Sequence, residues 1–158
     1  MKKISFVLLM ALTLFCFCCC GSKTESCEFL TYSVPDGYTQ DGSVSDPFYS
    51  SGDGYSFGIT IEHADTDLAD FMDLMTLEEL LQGRLDSSVS VVDDVVIDDI
   101  TAKQYWNYDE DTNLANLNIA FIHDDAIVTL TAYSYNDEIP DPVLEDFSEF
   151  VNSIQIND

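Results

Sequence analysis

Basic residues are scarce. The 158-residue chain carries 5 Lys plus Arg against 30 Asp plus Glu, a formal charge of −25. A surface of that sign repels phosphate backbones, which excludes nucleic acid as a partner. It equally excludes attachment to an anionic membrane through a basic patch of its own. Glycine (7) and proline (4) are few as well, and no low-complexity tract occurs. The charge therefore does not signal disorder, because 46% of the residues are hydrophobic and 12% aromatic. That much apolar surface offsets the entropy of ordering the chain. The G-x-S-x-G elbow, the P-loop, G-x-G-x-x-G and H-E-x-x-H are all missing, so no catalytic motif asks for an enzyme and no cofactor is expected.

What is present is concentrated at the N-terminus. Lys2 and Lys3 precede an apolar run from Ile4 to Phe17. That run falls short of the roughly 20 residues needed to span a bilayer, and its flanks fit the hydrophobic core of a secretory signal. Cys16, Cys18, Cys19 and Cys20 follow, then Gly21 and Ser22. The stretch resembles a bacterial lipoprotein signal, in which a small residue precedes the cysteine that receives diacylglycerol. Cys16 and Cys18 follow phenylalanines, which leaves Cys20 as the preferred lipidation site and Cys19 as the alternative. Phe17 stands where the family usually has Leu, three residues before Cys20. The resemblance implies a signal peptide over 1–19, a lipidated Cys20 with a short tether to residue 27, and a folded domain over 28–158. It also implies attachment to the extracytoplasmic face of the cell membrane through acyl chains. Cys27, the remaining cysteine, has no partner for an internal disulfide and reads as a tolerated residue at the end of the tether.

Period-two alternation opens the folded part at Leu30, Tyr32 and Val34, and Pro35-Asp36-Gly37 supplies turn chemistry. Val44 to Ser50 contains Pro47 and is expected to be an edge strand at best. Tyr55, Phe57, Ile59 and Ile61 form the clearest half-buried strand. The spacing changes to helical at Leu68, Phe71, Met72 and Met75, then at Leu77, Leu80, Leu81 and Leu85. Thr76-Leu77-Glu78-Glu79 between them is a capping-box pattern, which predicts a break there. Strands are predicted over Val89–Ile97 and Ile100–Tyr108, then at Leu117, Ile119 and Phe121 and at Val128, Leu130 and Ala132, with Asp124-Asp125 as a hairpin turn. Pro140-Asp141-Pro142 predicts a closing helix with Asp141 as its cap and Val143, Leu144, Phe147, Phe150, Val151 and Ile154 as its apolar stripe. The class is α+β, a single antiparallel sheet with helices packed on it.

Tyr32-x-Val34-Pro35-x-Gly37-Tyr38, the middle helix, the run of hairpins and the ending Phe150-x-x-Ser153-Ile154 resemble PsbP-like domains over residues 28–156. The resemblance implies an α/β/α sandwich and a binding or accessory role. None of that family's functional residues has a counterpart here.

Among residues that carry chemistry, Asp109, Asp111 and Asn113 are the sharpest metal candidates, since alternating oxygen donors wrap a cation. Helix–loop–helix calcium sites also need Gly sixth and Glu twelfth, where this chain has Leu114 and Ala120, so a solvated hairpin tip is the better reading. Of Asp65, Asp67, Asp70 and Asp73, the last two share a helix face at that spacing, while Asp65 and Asp67 sit at a helix start, where negative charge is favoured, so capping is the better reading. The pairs Asp93-Asp94, Asp98-Asp99 and Asp124-Asp125 raise a glycosidase-like hydrolase acting on glycan or peptide, although adjacency does not supply the separation such chemistry needs. Trp106, with Tyr105, Tyr108, Tyr133 and Tyr135, forms either a contact patch or a core-facing set. The leading expectation is a non-enzymatic, monomeric binding domain that recruits a basic protein partner or a divalent cation. A surface hydrolase and an inhibitor of a basic hydrolase are the alternatives.

Overall fold

The computed structural model describes residues 23–65, 76–84 and 91–157. The signal peptide, Cys19, Cys20, the helical spacing from Leu68 to Met75 and the acids Asp67, Asp70 and Asp73 lie outside the described residues.

Ten strands and two helices are described. They run β1 (Lys23–Cys27), β2 (Leu30–Val34), β3 (Tyr38–Gln40), β4 (Phe48–Ser51), β5 (Tyr55–His63), α1 (Leu77–Arg84), β6 (Val91–Ile97), β7 (Ile100–Asp109), β8 (Leu114–His123), β9 (Ala126–Ser134), α2 (Asp141–Asn152) and β10 (Gln155–Ile156). The α+β class holds, and the strand pairings are antiparallel. The main sheet has seven strands in the order β3-β4-β5-β9-β8-β7-β6. A second, three-stranded sheet, β1-β2-β10, joins it where a single sheet was expected. Its first strand, β1, occupies the stretch read as tether: Lys23 pairs with Val34 and Cys27 with Leu30. β1 thus starts at Lys23, within the stretch expected to be a tether.

Register explains the layers, because successive side chains along a strand point to opposite faces. One face of the main sheet carries Phe57, Ile59, Leu117, Ile119, Phe121, Val128, Leu130 and Ala132, all buried. It is covered by α2 and the small sheet, whose Leu30, Tyr32, Phe147 and Phe150 complete the core. Tyr38 stacks on Phe57 at 4.3 Å, and Phe57 lies 5.5 Å from Phe147 and 5.8 Å from Phe150, centroid to centroid. The opposite face packs Tyr105 and Ala120 against Leu81 of α1, with Leu77 at the margin. Burying these side chains is worth roughly 1.5–3 kcal/mol each before entropy is subtracted.

Local chemistry fixes the ends of the elements. Thr76 and Glu79 form the reciprocal capping box: Glu79 accepts from the Thr76 amide at 2.8 Å, and the Glu79 amide donates to the Thr76 hydroxyl at 3.3 Å. α2 departs from expectation at its start. Its cap is Pro140, which makes no side-chain cap bond, and Asp141 sits in the first helical turn. Proline is accommodated in that turn because amides there lack intrahelical acceptors, and Asp141 meets the positive end of the helix dipole. β4 begins just after Pro47, and β3 takes the sheet edge instead. Asp98 and Asp99 turn the β6–β7 hairpin with φ of 44° and 70°, the left-handed pair that a two-residue turn requires. Gly37 at φ 90° serves the turn that brings the Tyr38 amide to the Pro35 carbonyl. At Gly58 the rings of Phe48 and Tyr133 close over the strand, and a Cβ there would lie 3.3 Å from each.

Candidate functional site

α2 covers only part of its side of the sheet. Beyond it, toward β6, a groove of ≈ 310 Å³ stays open. Val95 of β6, Gln104 and Trp106 of β7, and Leu117 and Ile119 of β8 form its sheet wall. Leu144, Phe147, Ser148, Val151 and Asn152 form the helix wall. The helical positions follow from i, i+3, i+4, i+7 spacing, which aligns side chains on one face. The sheet positions are consecutive neighbours in register, with Gln104 opposite Ile119 and Trp106 opposite Leu117. Trp106 remains 39% exposed at the mouth, too open for a core residue.

No charged residue lines this groove. On a chain with thirty acids that is informative, since anything seated here meets apolar surface plus three neutral polar groups: Gln104, Ser148 and Asn152. Acids flank it instead. Asp93 stands opposite Gln104 on β6, and Glu145 and Glu149 stand three residues before Ser148 and Asn152 on the helix.

The acids singled out in the sequence serve other purposes. One Asp109 oxygen accepts from the amides of Asp111 at 2.9 Å and Thr112 at 3.3 Å, and the Thr112 side chain first, then these amides, hold its carboxyl below the usual range. Asn113, at φ 53°, accepts from the Tyr108 hydroxyl at 2.8 Å and donates to the Tyr135 carbonyl at 3.4 Å. Asp109, Asp111 and Asn113 thus share one hairpin tip, where the Asp109 carboxylate and the Asn113 amide shape the turn. Asp94 pairs with Lys103 at 2.5 Å. Asp98 accepts from the Ile156 amide at 2.7 Å, tying the β6–β7 turn to β10. Asp125 lies 3.6 Å from His63, which also meets Glu28 at 2.8 Å, and Glu28 chiefly raises the His63 pKa. Among the described residues no group of three or more His, Cys, Asp or Glu is placed to hold a metal ion.

A second cleft of ≈ 320 Å³ lies beside Cys27, with Glu25, Glu28, Asp46, Tyr32 and Tyr49 on its walls. Burial pushes the Cys27 thiol up, which keeps it protonated and a poor nucleophile. The Tyr32 and Tyr49 hydroxyls meet at 2.8 Å behind it and join the two sheets. Of the exposed aromatics, Tyr108 (43%) and Tyr135 (64%) frame the Asp109–Asn113 tip, whereas Tyr105 is buried and Tyr133 packs on Phe48. Sequence reasoning missed the groove. Its signal was the breadth of the α2 stripe: Leu144 and Val151 extend it past what Phe147 and Phe150 need to reach the core.

No protein-family model matches the sequence, and no curated protein matches it either. Solved structures do. Cyanobacterial PsbP (CyanoP) from Synechocystis sp. PCC 6803 superposes with a TM-score of 0.54 at 12% identity, over 87% of this chain and 93% of that one. The fold is PsbP-like. A protein from Bacteroides thetaiotaomicron VPI-5482 superposes with a TM-score of 0.59 at 9% identity, covering 87% of this chain and 49% of that one. This chain therefore spans about half the length of the Bacteroides protein. LpqN, involved in cell envelope biogenesis of Mycobacterium tuberculosis, superposes more loosely, with a TM-score of 0.44 at 12% identity. PsbP-like structures share an arrangement of strands and helices, and at these identities the likeness concerns that arrangement alone.

Proposed function

We propose that this protein is a lipid-anchored, extracytoplasmic accessory domain without catalytic activity, which recruits a basic protein to the cell surface. The observation that carries the reading is the distribution of charge around the groove. A neutral, Trp-walled groove opens on a domain otherwise covered in acids, and one member of each acidic pair is engaged elsewhere: Asp94 with Lys103, Asp98 with the Ile156 amide and Asp125 with His63. Attraction from such a surface acts over about 8–10 Å at physiological salt, far enough to steer a cationic partner. The PsbP-like fold supports an accessory role by analogy of architecture. The anchor rests on Lys2, Lys3, the run Ile4–Phe17 and Cys20-Gly21-Ser22.

Two measurements test it. Mass spectrometry of the N-terminal peptide from membranes should find diacylglycerol on Cys20, and Cys20→Ala should release the protein from the membrane fraction. Lipid on Cys19 would move the site by one residue, and an unmodified peptide would overturn the anchor. Light crosslinking in membranes should capture a dominant basic protein at low salt and lose it at high salt. Capture that ignores salt would overturn recruitment by charge.

A further inference from the structure

We propose that the mouth of the groove receives an extended, basic segment of the partner, which adds as a strand to the outer edge of β6 and turns apolar side chains toward Val95 and Trp106. This rests on the reading of the domain as a recruiter of a basic protein, and it names where that protein docks.

β6 ends the seven-stranded sheet, and among the described residues it pairs only with β7. Its outer row of amides and carbonyls is thus a template for another strand. Val96 lies on this edge at 69% exposure, an apolar side chain of the kind that invites unwanted pairing. Natural edges guard against such pairing with charge, most often lysine. Here the guards are acids: Asp93 and Asp94 precede Val95-Val96-Ile97, and Asp98 and Asp99 follow. Two copies meeting edge to edge would bring these acids together and repel. A strand carrying Lys or Arg would instead be attracted by them. Asp94 already faces Lys103 and Asp98 holds the Ile156 amide, which leaves Asp93 and Asp99 along the strand, with Glu145 and Glu149 across the groove.

The geometry then sets the pattern of the ligand. Side chains alternate faces along a strand, so every second residue of an added strand points to the side of Val95 and α2. Those positions meet only neutral lining and want apolar side chains. Residues at the ends of the segment meet the flanking acids and want positive charge. A volume of ≈ 310 Å³ sits at the lower limit of ligand clefts, roughly 300–1,000 Å³, and suits one or two side chains.

The chain has one tryptophan, so the groove carries its own reporter. The test titrates the full-length protein, purified from membranes in non-ionic detergent, with a peptide of alternating Val and Thr that carries Lys at both ends while Trp106 emission is followed. A saturable blue shift is expected, weakening as salt rises from about 50 mM to about 0.5 M. The exposed double variant Asp93→Lys/Glu145→Lys should weaken binding about tenfold at low salt while leaving the melting curve in place. The same peptide N-methylated at alternate residues should not bind, because it cannot donate to an edge. Equal binding by the methylated peptide would overturn strand addition. Salt-sensitive binding with unchanged Trp106 emission would overturn this site and leave recruitment standing. No binding of the cationic peptide would overturn both.

Discussion

Replacing Tyr32 with Phe tests how the two sheets are joined. Tyr32 and Tyr49 are each 2% exposed, with hydroxyls 2.8 Å apart and rings in an edge-to-face arrangement at 6.0 Å. Tyr32 also interacts with the Cys27 side chain. Tyr32→Phe therefore strips a partner from both Tyr49 and Cys27, and an orphaned buried hydroxyl costs about 1–3 kcal/mol. Tyr49→Phe leaves Tyr32 with the sulfur contact and should cost less, about 1 kcal/mol. The double variant leaves no hydroxyl stranded, so its cost should fall short of the sum of the singles by about 1 kcal/mol. Urea denaturation gives the three free energies, and thermal melts should shift by roughly 3–5 °C per kcal/mol in a domain of this size. Alkaline titration provides a second handle. Burial raises both hydroxyls above the usual tyrosine value, so the protonated pair stabilises the fold fully below about pH 10 and the effect is lost as pH climbs beyond it. Wild-type stability should fall there faster than that of the double Phe variant. Additive single effects, within about 0.3 kcal/mol, would refute the coupling. A costlier Tyr49→Phe would refute the place given to Cys27.

Three other outcomes are expected. The His63 imidazole, held by Glu28, should titrate by NMR above the ordinary histidine value and move back toward it in Glu28→Gln; since its folded pKa is raised, its contribution to stability is present at acidic pH and fades as pH rises through that value. Asp98→Ala should cost about 1–3 kcal/mol and speed amide exchange at Ile156, because alanine neither accepts that bond nor favours φ 44°, while Asp98→Asn should largely preserve both. Thr76→Ala should cost about 1 kcal/mol by removing half the capping box, read as faster exchange in the first turn of α1.

Elements with strong periodicity were legible before any coordinates. Tyr55, Phe57, Ile59 and Ile61 alternate because one side of β5 faces the core. The α2 stripe buries Val143, Phe147, Phe150 and Val151 as its spacing implies. β1 was not legible, because Lys-Thr-Glu-Ser-Cys has no apolar alternation and lies on the outside of a small sheet. β10 is two residues long, held by Asp98 and by pairing with β2, and no local pattern encodes a partner more than a hundred residues away. The groove escaped for a related reason. Trp106 and Leu144 are each consistent with core, and only the register of β7 against β8 and the reach of α2 leave a gap between them.

The pairing of β10 with β2 bears on how such a chain folds. Ser33 and Ser153, 120 positions apart, share a hydrogen bond of 2.8 Å, and the Asn157 amide reaches the Phe29 carbonyl. Phe147 and Phe150, which close the aromatic core, also come late. The core therefore lacks its lid until that distant segment is in place, and contacts so far apart in sequence form slowly. The topology thus defers closure of the core until the segment carrying Phe147, Phe150 and β10 has docked.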